Sequence, residues 1–336
     1  MSTRLLLRTL TLLLLLLTLT HLKASEKPLT PLRIGVLEFG TVNWELEVIQ
    51  IHELAKKRGI DLKIVPLASA DASTVALQGG AVDMIVSDWI WVSRQRAESN
   101  LYTFAPYSNA VGSVMVKSDS DIRQLADLKE KKLGISGGPA DKIWILLRAY
   151  AQRKLGVDLT KFTQPSYAAP PLLNELMLRG QLDAALNAWP YAARLEVAGM
   201  RTLIDVPEIL KGLGVEKPIP LIGWVFREEW AAANTAVVKN FLEASYEAKA
   251  ILATSDAQWN QIRPKMRAEN DAVFKTLRTR FRAGIPACAD QDTTTAVAAT
   301  FKILAETGGE KLVGKSKALT NGTFWPGFTL PPCKAH

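Results

Sequence analysis

Two short passages hold the residues best suited to gripping a small molecule. "DWIWVSRQR" (Asp88–Arg96) sets a carboxylate and two indoles just past the apolar run "AVDMIV", and "NAWPYAAR" (Asn187–Arg194) follows "QLDAAL" in the same way. An indole offers a rigid apolar face with one N–H donor at its edge, so a facing pair can sandwich a planar or cationic group. That is the chemistry of binding. Catalysis has little to work with: outside the first 24 residues the only histidines are His52 and His336, and the only cysteines are Cys288 and Cys333. No Cys/His spacing suits a metal, and no nucleophile stands near a base. "SGGPADK" carries glycines but lacks the spacing and the Lys-Ser/Thr ending of a phosphate loop.

The elements that must position these residues occur twice. "RIGV" (Arg33–Val36) is a strand leading into a helix that ends at "KKRGIDL", and "KLGI" (Lys132–Ile135) leads into one that ends at "RKLGVDL". In both, glycine supplies the helix end. "GAVDMIVSDWIWVSR" (Gly80–Arg94) then aligns without gaps on "GQLDAALNAWPYAAR" (Gly180–Arg194), repeating Gly80, Asp83, Trp89 and Arg94 as Gly180, Asp183, Trp189 and Arg194. Alternating strand and helix patterns predict mainly parallel sheets with helices on their faces. In such sheets ligands bind beyond the carboxyl ends of the strands. Both tryptophan segments belong there, on opposite rims of a cleft, and Trp89 and Trp189 are expected to face each other across it. Extended crossings are expected near 110–118 and 218–226. The helical patterns after residue 230 are expected to return to the first lobe.

The chain has 336 residues, more than one core usually serves, so two lobes are expected. Arg4 and Arg8 precede an apolar stretch, Leu10–Thr20, well short of the ~20 residues of a spanning helix. This predicts a secretory signal peptide cleaved after Ala24. The formal charge of +8 falls to +5 when Arg4, Arg8 and Lys23 leave with it. The remaining basic residues form no run, which gives nucleic-acid binding no support. Export makes a Cys288–Cys333 disulfide the expected state, contributing roughly 4 kcal/mol on the chain-entropy view.

The chain resembles the periplasmic solute-binding proteins of ABC importers, in the nitrate/sulfonate/taurine group that also holds thiamine-pyrimidine binders. The resemblance rests on "LRIGV", "LQGGAVDMIVSD", "SDIRQLADLKEKKLGI", "LLNELMLRGQLDAAL" and "VVKNFLEASYEAKAIL". It implies a two-lobed α/β periplasmic-binding-protein fold, type II-like, with two hinge crossings. Residues 25–112 would open lobe 1, 113–221 would form lobe 2, and 222–336 would return to lobe 1. It also implies a periplasmic monomer that needs no cofactor and hands a small solute to an inner-membrane ABC permease. A ligand sensor or cofactor-delivery protein of the same fold is the alternative. The related thiamine-pyrimidine synthases are enzymes, but their Cys-rich motif is missing here.

Four loops are expected to line the cleft. The first lobe would contribute Glu38, Phe39, Gly40, Thr41, Asn43 and Trp44, with Ser87, Asp88 and Trp89. The second would contribute Ser136, Gly137, Gly138, Asp141 and Lys142, with Asn187, Trp189 and Tyr191. Trp224 lies in the second crossing, where the resemblance implies approach to the ligand. Backbone N–H groups of Thr41–Trp44 and Gly138–Lys142 are candidates for holding an anion. Each residue has a plainer alternative. Trp44 and Trp144 can pack lobe cores, Trp91 can point back to its sheet, and Asp88 can cap its helix. Asp141 and Lys142 can form a solvated pair, and Arg94 and Arg194 can be salt-bridged. Acids beside Lys142 favour a planar or amphoteric solute over bare nitrate.

Overall fold

The computed structural model describes residues 28–286, 288 and 291–330. The expected leader and Cys333 lie outside them, and with Cys333 the pairing to Cys288. Glycine at the helix ends and runs of apolar residues dictate the alternation seen from the start. β1 (Thr30–Leu37) is followed by α1 (Val42–Ile51), β2 (Ile60–Leu67), α2 (Ala70–Gln78), β3 (Met84–Asp88), α3 (Trp89–Ala97) and β4 (Tyr102–Ser108). Then come β5 (Gly112–Lys117), β6 (Lys132–Ser136), α4 (Lys142–Leu155), α5 (Leu159–Phe162), β7 (Gln164–Ala168), α6 (Pro170–Leu178), β8 (Ala184–Ala188), α7 (Trp189–Val197), β9 (Met200–Asp205) and α8 (Val206–Gly212). After β10 (Ile222–Arg227) the chain is helical: α9 (Glu228–Ala233), α10 (Thr235–Thr254), α11 (Asp256–Met266), α12 (Asp271–Ala283), α13 (Gln291–Gly308) and α14 (Glu310–Val313).

The strands form two five-stranded sheets, β2-β1-β3-β10-β4 and β7-β6-β8-β5-β9. In each, three strands pair in parallel and a fourth, β10 or β5, runs against both its neighbours. The two copies of the repeat therefore stand in different sheets, β3 in one and β8 in the other. The reversed strand crosses close to its partners. A Cβ at Gly112 would lie 2.2 Å from the Asn187 carbonyl oxygen, and one at Gly223 would lie 2.3 Å from that of Ala105. The repeated aspartates do the same work in both lobes. Asp83 accepts the backbone N–H of Arg33 at 2.8 Å and Asp183 that of Lys132 at 2.7 Å, pinning β1 to β3 and β6 to β8.

The C-terminal return departs from expectation. α10 and α11 lie on α1 of the first lobe, but α12 packs on α7 and α13 on α4, both in the second. Phe281 of α12 joins the core around Trp44 and Trp259, while Phe301 of α13 joins the core holding Trp89 and Trp144. These amphipathic helices thus tie the lobes together, because each has an apolar stripe wide enough to meet both. The tail returns to the first sheet, where Phe104 N–H donates to Thr323 O and Trp325 N–H to Phe104 O, each at 2.8 Å. This covers the edge of β4.

Candidate functional site

The carboxyl ends of β1, β3, β6 and β8 each open a helix, and the lobes meet there in an exchanged pattern. The loop after β1 faces the start of α7, and the loop after β6 faces the start of α3. Two pockets result. The larger, of about 230 Å³, is lined by Glu38–Thr41 and Trp44 of one lobe and by Pro190, Tyr191 and Arg194 of the other. The end of α11 closes it with Lys265, Arg267 and Glu269. The smaller, of about 160 Å³, sets Asp88, Ile90, Trp91 and Arg94 against Ala140 and Lys142. Trp91 and Arg94 occupy in the repeat the positions of Tyr191 and Arg194, so the pockets are counterparts built from exchanged lobes.

Their chemistry differs because of the helix caps. The first turn of a helix leaves N–H groups that attract an anion. In the smaller pocket carboxylates of the chain take several of these. Asp88 accepts Trp91 N–H at 2.8 Å and, with its other oxygen, the Lys142 ammonium at 3.2 Å. Asp141 accepts Ile143 N–H at 2.8 Å and Trp144 N–H at 3.2 Å. The carboxylate of Asp141 therefore holds the N–H groups of the two residues just past Gly138–Lys142, and within that stretch Asp141 N–H donates to Gly138 O at 2.9 Å. Burial pushes the Lys142 ammonium down, but Asp88 and Asp141 outweigh it and leave its pKa raised. Burial raises the Asp141 carboxyl, with Lys142 and the two N–H bonds opposing.

In the larger pocket the starts of α1 and α7 have no side-chain cap; Asn43 and Trp44 N–H turn to the carbonyls of Gly40 and Thr41, Trp189 N–H donates to Val111 O at 2.7 Å and Pro190 has none, which leaves Val42 and Tyr191 N–H. Both helix starts open toward the same space. Arg194 is committed: it donates to Glu269 at 2.9 Å and to the carbonyls of Pro190, Met266 and Arg267, tying α7 to the end of α11. Arg267, among the described residues, has no carboxylate partner; its guanidinium sits 5.4 Å from the Phe39 ring centroid. Phe39 is 61% exposed. Arg267 also ends α11 in the left-handed region, φ 49°, where glycine is usual. That conformation costs a non-glycine residue on the order of 1 kcal/mol.

The structure brings Glu38, Phe39, Gly40, Thr41, Trp44 and Tyr191 to one pocket and Asp88 and Lys142 to the other. Trp89 is a correction. It is fully buried against Phe301, ring centroids 6.4 Å apart, and does not face Trp189 across the cleft. α13 covers the start of α3 and supplies an apolar slot that an indole fills. Trp189 instead meets Trp44 edge to face at 5.9 Å. Trp224 is likewise buried in the first lobe, its indole N–H donating to Ser245 at 3.2 Å, and does not reach the cleft. Asn187 is a buried clamp, donating to Pro170 O at 3.0 Å and to Asn174 at 2.9 Å. Asn43 donates to Leu37 O at 2.8 Å and Gly40 O at 2.9 Å, shaping its own loop. Ser87 pairs with Gly223 inside the sheet, and Ser136 is buried at the end of β6. Gly137, at φ 89°, makes the turn that lets Asp141 cap α4. The sequence reading missed Lys265, Arg267 and Glu269. Their one local signal is "KMRAEN", a helix end without glycine.

Among the described residues no helix is long and apolar enough to cross a membrane, and no group of His, Cys, Asp and Glu could hold a metal ion. The profile of the family described as NMT1/THI5 like matches residues 43–256. No curated protein matches by sequence. Among solved structures, the chain is similar to the periplasmic aliphatic sulphonate binding protein SsuA from Escherichia coli, at 19% identity and TM-score 0.68, over 91% of this chain and 95% of that one. It is similar also to the alkanesulfonate-binding protein SsuA from Xanthomonas axonopodis pv. citri bound to MOPS, at 19% identity and TM-score 0.67, over 89% and 99%. A Candida albicans protein, CA3427, with the generic periplasmic binding protein fold matches at 15% identity and TM-score 0.57, over 83% and 90%.

Proposed function

Since the chain belongs to the NMT1/THI5-like family, we propose that it is the extracytoplasmic solute-binding component of an ABC-type importer. It closes two lobes on a small planar or amphoteric solute and delivers it to a membrane permease. One observation carries the reading: two helix starts without side-chain caps, from different lobes, face each other in the larger pocket beside Arg267, which has no carboxylate partner among the described residues. Such a pocket suits a sulfonate or carboxylate group, while Glu38 and Phe39 suit an amine or a ring. A taurine-like amino sulfonate or an acidic heteroaromatic meets both demands. The sulfonate binders of the same fold support the anionic half of this choice.

The reading includes a signal peptide over 1–24, periplasmic location, a monomer and no catalysis. Lobe 1 takes 25–112 and the strand and helices from 222 to 266, lobe 2 takes 113–221, and α12 and α13 bridge the two. A Cys288–Cys333 disulfide belongs to it, and two reactive thiols in the denatured, unreduced protein would remove that element. The central test is calorimetric titration with taurine, an alkanesulfonate and a heteroaromatic carboxylate. One of them binds with a Kd in the micromolar range or below, and Arg267→Ala weakens it about tenfold, as losing a charged hydrogen bond does. Absence of binding by all three, with no carried molecule in native mass spectrometry, refutes the proposal.

A further inference from the structure

Arg94 and Arg194, equivalent in the repeat, each hold the end of a helix from the C-terminal return. Arg94 donates to Lys311 O of α14 at 3.3 Å. Arg194 donates from one nitrogen to Met266 O at 3.3 Å and to Arg267 O at 3.4 Å, where α11 ends. Carbonyls at a helix end lack partners within the helix, and an arginine from a neighbouring helix satisfies them. In both cases the residue that closes the helix sits at positive φ. After α14 it is Gly314, at φ 73°, where an added Cβ would lie 2.7 Å from Arg94 Cγ. After α11 it is Arg267, at φ 49°. A long side chain stands where glycine would be unstrained, so it is held there against a cost. Its guanidinium lies over Phe39 in the larger pocket.

We infer that Arg194 is a positioning residue for the solute's anionic group: it holds Arg267 in the left-handed conformation that presents the guanidinium to the larger pocket. This rests on the reading of that pocket as the anion site. Arg194 itself is engaged by Glu269 and by Pro190 O, each at 2.9 Å, so it acts through Arg267. The holder belongs to lobe 2, and what it holds ends a helix lying on α1 of lobe 1. Arg267 is therefore set in place only while the lobes are together. Opening them frees Arg267 to relax and weakens the grip on the anion, which makes charge recognition and closure one event.

Two measurements on the exported chain test this. Without solute, a thermal-unfolding cycle compares Arg267→Gly in the wild type and in Arg194→Gln. Glycine relieves strain only where Arg194 imposes it, so the change in Tm should be about 2 °C more favourable with Arg194 present. With ethanesulfonate as probe, calorimetry should show Arg194→Gln weakening binding about fivefold in the wild type and less than about twofold in Arg267→Ala. Stopped-flow tryptophan fluorescence should place that loss in the release rate. Arg194→Lys, whose single ammonium cannot span these acceptors, should restore binding by no more than about twofold, and it replaces Arg194→Gln if that variant does not fold. Equal Tm changes in both backgrounds, equal losses of affinity in both, or full rescue by Arg194→Lys overturns the positioning role and leaves the anion pocket standing. No binding of ethanesulfonate, or binding indifferent to Arg267→Ala, overturns both.

Discussion

Replacing Lys142 by Met removes an ion pair that joins the two strand-end loops of the smaller pocket. Its ammonium lies 3.2 Å from Asp88, and both side chains are about a fifth exposed, at 19% and 21%. At that separation the gross attraction is about 5 kcal/mol with an effective dielectric constant near 20. Partial desolvation consumes much of this, leaving the roughly 1.5–3 kcal/mol of a charge-assisted hydrogen bond. Asp88→Asn separates the two duties of Asp88, since asparagine still caps α3 but carries no charge. A double-mutant cycle of Lys142→Met and Asp88→Asn, read by urea unfolding of the solute-free protein, is expected to return a coupling of that size. On the alkaline side the sign follows from the raised Lys142 pKa: its stabilisation is complete below the ordinary lysine value and is lost only as pH rises through the higher folded one. The coupling should therefore be flat from neutral pH to about 9. A coupling below about 0.5 kcal/mol would show that the pair is a solvated surface contact and that the lobes are held by α12 and α13 alone.

Glu45 and Lys249 form a fully buried pair at 2.5 Å beneath the first sheet, so Lys249→Met should cost about 3–5 kcal/mol. Burial raises the Glu45 pKa against the pull of Lys249. Without the lysine it rises further, so the loss should be larger at pH 8 than at pH 5; equal losses would refute the assignment. Trp89→Ala should lower stability by about 3–5 kcal/mol, as other buried tryptophans do, and leave solute affinity in the folded protein unchanged. A selective loss of affinity at unchanged stability would return Trp89 to the cleft. Asp183→Ala and Asp83→Ala should each cost a similar 1–3 kcal/mol by freeing a strand N–H, measurable by thermal unfolding.

The repeat was legible because its signals are local. Glycine at Gly80 and Gly180, an aspartate three residues on, and an apolar run ending at tryptophan are set by turn geometry and burial along a few residues, and each lobe obeys them separately. From these the two sheets follow, with both tryptophans at strand ends. What those tryptophans do is not local. Trp89 and Trp189 hold the same place in the repeat, yet one is buried beneath Phe301 and the other meets Trp44 edge to face, because different helices from the C-terminal return cover the two lobes. The same holds for the pockets. Asp88 and Asp141 could be read as caps or as ligand groups until the structure set them on the first turns of α3 and α4. Ala188 and Thr41 show no cap by comparison, and Arg267 reaches their pocket from a segment some seventy residues beyond the repeat. The sequence alone determined the elements and their duplication, since short-range sterics and apolar periodicity specify those. Which half of the cleft stays open to an anion was decided only by tertiary structure, since it depends on charges and caps brought together from four separate stretches of chain.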